Sequence, residues 1–424
     1  MAQTGSVPLA QTDTTRSTGV WTAGGRGALA AVQRAGTAAD FTGPVIADLV
    51  VDIEGIGALA RDYERLYQVT GNTLPFARQE WHLAWCEHLL NHSPRARQEP
   101  LFCVLRNVPG ACVAIVPLVL TRRQLGPLRV AALALVGADP ALTEIRNPLI
   151  EPGYERATVR ALHERLASVP GWDWIQWSGV SAPLAQALEL EAAPQWYQTV
   201  DDYVLDLPAA WAEFRATLRR NLRESLRHCY NSLRRDGHSF EFVVARDPVE
   251  VRWALYRFLQ LHAQRAHMPW GPVHVDHFAA QSPRAFLYAV CERLAVRDAV
   301  RVFQLRIGDA VVASRIGFVI GDSLYLYYSG FDPAWSRYSV MTTTLAEALR
   351  YAIASGLQSV NLSTTADRAK LRWHPRRVDF HSALVRHDSI RSRLACSAYS
   401  AAVSGRSAPR RLLKRLLQSR RDWN

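Results

Sequence analysis

The stretch from residue 300 to 331 narrows the possible folds more than any other part of this chain. Three runs, VRVFQLRI, AVVASRIGFVI and SLYLYYSGF, are joined by the tight turns Gly308-Asp309 and Gly321-Asp322. Gly-Asp between apolar, β-branched runs is hairpin chemistry, so the stretch reads as an antiparallel meander. Straight after it, DPAWSRYSVMTTTLAEALR opens a helix among hydroxyl side chains that stops at Gly356, and LQSVNLST follows as a short strand. A meander, a helix and a strand leaning parallel describe an α/β sheet that splits where the meander's last strand leaves the next one. Ligands favour such clefts.

The same order occurs earlier in the chain. VIADLVVDI reads as a strand, IGALARDYERLYQVTG and FARQEWHLAWCEHLLN as helices, the second with Trp81, Trp85 and Leu89 at i, i+4 and i+8. LFCVLRN, CVAIVPLVLTRR and LRVAALALVG are successive strands, ERATVRALHERLASV is a helix, and WDWIQWSGV is a strand carrying Trp172, Trp174 and Trp177. The second half opens on WYQTVDDYVLDL. One long helix then runs from Trp211 to Gly237 with Phe214, Leu218, Leu222, Leu226 and Leu233 as its apolar stripe. FEFVVA, helices at 248–266 and 283–296 and, after the meander unit, VDFHSALVRH complete it. Residues 1–43 lack periodicity and read as disordered. The expected division is an N-terminal domain over 44–200, a C-terminal domain over 201–385 and a basic tail over 386–424.

Charge and cysteine usage exclude several classes. The net charge is +12, but residues 386–424 hold ten Arg or Lys against two Asp, so the tail supplies eight of it. A mildly basic body with no aromatic-basic module argues against a nucleic-acid binder. In the tail, Leu412, Leu413, Leu416 and Leu417 share a helical face ringed by basic residues, which suits an anionic membrane surface or docking on the protein's own body. Six cysteines without CxxC spacing suggest free thiols and no metal site. No apolar run reaches membrane-spanning length and the N-terminus lacks secretory design, so the expected location is cytoplasmic, peripheral at the inner membrane if the tail binds lipid.

Three stretches together resemble a known family. They are LRRNLRESLRHCYNSLRRDG leading into FEFV, then GDAVVASRIGFVIGDSLYLYYSGFDPAWSRYSVMTTTLAEALRYAIASGLQSVNLS, and DRAKLRW at 367–373. The chain is similar, over roughly 47–385, to the cellulose-biosynthesis-associated acetyltransferases of the CelD/BcsL type in the GNAT superfamily, relatives of the FemABX peptidyltransferases. The resemblance implies two tandem GNAT-like domains, each a mixed, mostly antiparallel sheet flanked by helices. It implies acyl transfer from acyl-coenzyme A to an amine in envelope polysaccharide or lipid biosynthesis, the acceptor being a small or lipid-linked amine. The alternative is a non-catalytic GNAT-like scaffold subunit of a polysaccharide-synthesis complex. By the same resemblance the coenzyme pyrophosphate lies on the loop after the fourth strand, here Ser336, Arg337, Tyr338, Ser339 and Val340, with Ser329 on the strand before it. Val340-Met341 stands where the family usually has Pro-Gly.

The helix start itself suits an anion, because its first N–H groups are unpaired and lie at the positive end of the dipole. Attack on a thioester also needs an amine freed of a proton and a donor for the leaving sulfur. Asp367 and Lys370 read as proton acceptor and acceptor-orienting cation, or as a simple ion pair. His262 reads as catalytic or as a hydrogen-bonded core histidine. Tyr328 and Tyr327, adjacent on one strand, are expected on opposite faces, with at most one in the cleft and the other packed. Glu347 reads as the partner of Arg350. Arg215, Arg219, Arg223 and Arg227 form a basic stripe, either solvated or facing an anion.

Overall fold

The computed structural model describes residues 41, 43–92, 96–125, 128–138, 142–268 and 274–403. The rest of the amino-terminal segment and the basic residues 404–424 lie outside the described residues. The first half contains β1 (Val45–Val50), α1 (Ile53–Ala58), α2 (Ala60–Thr70), α3 (Gln79–His88), β2 (Ala96–Asn107), β3 (Cys112–Leu125), β4 (Leu128–Leu135), β5 (Leu149–Ile150), α4 (Glu155–Ala167), β6 (Trp174–Val180) and α5 (Ala182–Glu191). The second contains β7 (Gln195–Asp206), α6 (Trp211–Thr217), α7 (Arg220–Arg235), β8 (Phe240–Ala245), α8 (Pro248–Ala266), α9 (Gln281–Val296), β9 (Val300–Ile307), β10 (Ala310–Ile320), β11 (Ser323–Phe331), α10 (Val340–Ala354), β12 (Ser359–Thr364), α11 (Arg368–Leu371), β13 (Arg376–Arg386) and α12 (Ile390–Val403).

All the strands join one sheet, ordered β1-β2-β3-β4-β6-β13-β7-β12-β11-β10-β9-β8, with β5 alongside β3. Each half is an antiparallel meander, β1 to β4 or β8 to β11, followed by one parallel partner, β6 or β12. The fold is therefore α/β, with two tandem GNAT-like units. Their terminal strands are exchanged at the centre. β7, which follows the first unit, pairs with β12 of the second, and β13, which follows the second, pairs with β6 of the first. β7 and β13 also pair with each other, which makes the sheet continuous.

One apolar core is shared by both halves on a single face. Trp81 of α3 is fully buried against Phe286 of α9, Phe318 of β10 and Tyr327 of β11. Indole surface of this size dominates local packing. On the opposite face α6, α7 and α10 cover β9, β11 and β12 through Phe214, Leu222, Leu345 and Leu349. In the first half, α12 closes the sheet, its Tyr399 lying 5.0 Å from the ring of Trp174.

The long helix expected from Trp211 to Gly237 is broken. Leu218 and Arg219 are extended, with ψ of 141° and 149°. No residue type forbids helix there. The break lets Phe214 and Leu218 on one segment and Leu222 and Leu226 on the next all reach the same buried cluster. The arginine stripe is broken with it. Arg215, Arg220, Arg223 and Arg227 line a groove of about 480 Å³ at the elbow.

The two units differ where meander and parallel strand part. In the first, β4 and β6 pair over Ala132↔Trp174, Leu133↔Ile175 and Ala134↔Gln176, and the chain then leaves the sheet before returning as β5. Residues 145–147 of this excursion lie on β6. Asn147 accepts a hydrogen bond from Ser181 N at 2.8 Å, and a Cβ at Gly179 would stand 3.1 Å from the backbone nitrogen of Arg146. The first fork is thus occupied by the protein's own backbone.

Candidate active site at the second fork

β11 and β12 pair through Ser323↔Ser359, Leu324↔Val360 and Tyr325↔Asn361 and then separate, although both strands continue. Irregularities on both sides produce the separation. In β11, Leu326 faces Gly317 and Ser329 faces Arg315, so Tyr327 and Tyr328 together oppose Ile316 alone. Such a bulge bends its strand and increases its twist. At the end of β12, Ser363 within the strand and Thr365 just beyond it take left-handed φ of 72° and 71°. Each costs roughly 1–2 kcal/mol for a residue with a Cβ. Asn361 helps hold the turn by accepting Ser363 N at 2.7 Å.

The bulge corrects the expectation that Tyr327 and Tyr328 face opposite ways. The extra residue cancels the alternation, and their rings meet with centroids 4.4 Å apart. Tyr327 donates to the Leu142 carbonyl at 2.6 Å. Tyr328 packs edge-on against His262 and Phe278.

Where the strands part, polar groups from four elements and a loop converge. Tyr325 donates its hydroxyl hydrogen to Glu144, which belongs to the first half's excursion. Asn361 donates to Asp202 of β7 at 2.6 Å, and Lys370 donates to the Thr364 carbonyl at 2.5 Å. Burial pushes the Glu144 carboxyl up, against the pull of hydrogen bonds from Tyr325 and Ser363 and the charge of Lys370. Burial likewise takes Asp202 up to about 6 and lowers Lys370. Both carboxylates and the ammonium are thereby moved toward their neutral forms, a pattern concentrated at catalytic sites.

Two guanidinium groups line the fork beside this cluster. Arg265 of α8 donates to Ser329 Oγ at 2.9 Å, and Arg315 stands on β10 opposite Ser329. Burial lowers both, Arg315 to about 10, and Asp367 counteracts it. Their Nε atoms are buried without a hydrogen-bond partner. An anion entering here would satisfy donors that the protein leaves open. His262 holds Nδ1 3.1 Å from the Ser329 carbonyl, which can only accept, so that nitrogen carries the proton. Its Nε2 is buried, unpartnered and 3.9 Å from Asp276, and burial lowers its pKa, which favours the neutral ring.

The predicted phosphate loop lies between β11 and α10. Asp332 caps the 3-10 turn Pro333–Tyr338 by accepting Ala334 N at 3.0 Å. Ser339 is left-handed, φ 52°, and its carbonyl takes Thr342 N and Thr343 N, while its side chain caps nothing. Ser336 is exposed and accepts Ser339 N through its carbonyl. Arg337 projects to solvent over the Tyr338 ring and pairs with Asp236 at 3.7 Å. Tyr338 is buried and donates to Asp236 at 3.0 Å, tying the end of α7 to the loop. Val340 is buried, and Met341 packs on the same apolar cluster as Leu305 and Val312. Asp367 caps α11 by accepting Lys370 N at 2.7 Å, its carboxylate at the rim of the fork. Glu347 pairs with Arg350 as expected and also accepts from Tyr230. Glu144 and Asp202 had no signal in the sequence, since neither belongs to a motif or a spacing.

Residues 220–373 match the family model described as an acetyltransferase (GNAT) domain. Over those residues the chain is similar to a GNAT acetyltransferase domain. The match runs from α7 to Trp373 and so includes the second fork, the loop before α10 and the Asp367-Lys370 turn. A search of curated proteins finds no match. Among solved structures, FemX is similar at 9% identity and TM-score 0.48, over 76% of this chain and 95% of that one. A conserved protein of unknown function from Bacteroides thetaiotaomicron VPI-5482 is similar at 14% and 0.47, over 77% and 97%. L-PGS from Bacillus licheniformis is similar at 10% and 0.44, over 82% and 97%. At these identities and scores the likenesses say nothing of what the GNAT domain acts on.

Proposed function

We propose that the protein is an N-acyltransferase that moves an acetyl or longer acyl group from acyl-coenzyme A to an amine. The observation that carries this reading is the parting of β11 from β12 directly before the uncapped start of α10, within the matched domain. In this reading the backbone N–H groups of Val340 and Met341 bind the pyrophosphate, and Ser336, Arg337, Tyr338 and Ser339 shape the loop around it. The thioester enters the fork past Ser329. The unpartnered guanidinium hydrogens of Arg265 and Arg315, with Lys370, face charge on the bound reactants. His262 and Tyr328 wall the pocket, and Asp367 fixes the turn that presents Lys370. The acceptor is an amine of envelope polysaccharide or lipid biosynthesis, and segment 405–424 seats the protein on an anionic membrane surface.

Acetyl-coenzyme A at 100 times its Kd should stabilise the fold by about 2.7 kcal/mol, seen as a rise of several degrees in Tm. An unchanged Tm removes the donor and with it the reading. Val340 and Met341 in place of the family's Pro-Gly pair favour a second reading, a non-catalytic scaffold of a polysaccharide-synthesis complex, and that reading expects the unchanged Tm. For the membrane seat, deletion of 405–424 should release the protein from vesicles containing phosphatidylglycerol. Retention refutes it.

A further inference from the structure

We infer that Glu144, supplied by the first half, is the group that takes the proton from the acceptor amine at the second fork. This rests on the acyltransferase reading above and names a residue of that site outside the matched domain.

The excursion that carries Glu144 is pinned on both sides of it. On one side the Leu142 carbonyl accepts from Tyr327, and Thr143 Oγ1 accepts from Trp81 Nε1 at 3.0 Å. On the other, Ile145 and Arg146 lie against Gly179, and Asn147 accepts from Ser181. The single residue between them projects to Tyr325, the last β11 residue paired with β12. A carboxylate held this firmly at the mouth of a fork is pre-organised, and its partial exposure leaves it reachable. A loop whose only task was to fill the first fork would have no use for an acid there, where desolvation disfavours its charge.

The groups facing Glu144 fit a proton acceptor. Tyr325 and Ser363 hydrogen-bond to it, Lys370 supplies positive charge and Asp202 supplies negative charge nearby. The other carboxylates are committed. Asp367 caps α11, and Asp202 accepts from Asn361 and is 2% exposed. In the proposed step an ammonium acceptor gives one proton to the Glu144 carboxylate, and the freed lone pair attacks the thioester carbonyl carbon. The C–S bond breaks, the sulfur leaves with the electron pair and takes the second nitrogen proton, and Glu144 returns its proton to water. The products are an amide and free thiol.

The test compares two acceptors with acetyl-coenzyme A as donor, following thiol release. Ethanolamine is an ammonium ion at pH 7 and needs a proton acceptor, whereas hydroxylamine is largely neutral there and does not. Glu144→Gln should lower transfer to ethanolamine by about 100-fold or more and transfer to hydroxylamine by less than about threefold. Equal losses with both amines would mean a structural role and overturn the inference, as would ethanolamine transfer within about threefold of the parent protein. The Tm rise with acetyl-coenzyme A, measured on both proteins, shows that the variant is folded and binds donor. If the parent protein shows no rise, the acyltransferase reading fails first; if both show it and ethanolamine transfer is undiminished, only the role of Glu144 fails.

Discussion

In the first fork β4 and β6 part after Ala134 and Gln176, and peptide from residues 145–147 lies against β6. In the second, β11 and β12 part after Tyr325 and Asn361, and Glu144, Asp202, Lys370, Arg265 and Arg315 surround the gap. One architectural plan has thus been used in two ways. A fork filled with backbone contributes stability and cannot admit a thioester, while a fork lined with half-satisfied polar groups gives up stability for binding and chemistry. The segment that fills the first fork also delivers a carboxyl to the second, so the two uses are coupled.

The largest effect that would sharpen this contrast is expected at Gly330. A Cβ there would stand 2.3 Å from the backbone nitrogen of His262, forcing α8 off β11. Gly330→Ala should cost about 3 kcal/mol in urea unfolding. A loss below about 1 kcal/mol would show that α8 does not clamp the open fork.

Next is pH. The Asp202 carboxyl lies above its ordinary value, at about 6 against 3.8, because burial disfavours its charge. Its folded form therefore binds the proton more tightly than its unfolded form. The resulting stabilisation is fully present below about pH 4 and is lost as pH rises through about 6, on the order of 3 kcal/mol. Asp202→Asn should abolish this part of the pH dependence, measured as urea midpoints from pH 4 to 7. An identical slope in the variant would place the effect elsewhere.

The smallest is at Gly179, on the filled fork. Its φ of 73° is left-handed, and an added Cβ would meet the backbone nitrogen of Arg146 at 3.1 Å. Gly179→Ala should cost about 1–2 kcal/mol. If it costs more than Gly330→Ala, the ranking of the two forks is reversed.

Much of the architecture is legible in the sequence. Gly308 and Gly321 mark the hairpin turns, and both take positive φ. Trp81, Trp85 and Leu89 predict the buried face of α3. The features that escape are non-local. Nothing in TLRRNL announces the break at Leu218-Arg219, which exists because two helix segments share one cluster. Nothing in YLYYSG shows that Tyr327 and Tyr328 oppose a single residue, since a bulge is a property of a pair of strands. At the site, His262, Tyr328, Ser329 and Lys370 do gather at the fork. Glu144 escapes because its partner Tyr325 is 181 residues away, and a lone acid in a loop has no periodicity to read.

The central exchange of β7 and β13 has a consequence for biosynthesis. The neighbour that β6 requires on its inner edge is β13, made only when translation reaches Arg376–Arg386. Until then the nascent first unit exposes unpaired backbone along that edge, a surface prone to wrong partners. The ribosome must therefore release the chain through β13 before the first unit is complete, and neither unit can be expressed alone without inheriting an open seam.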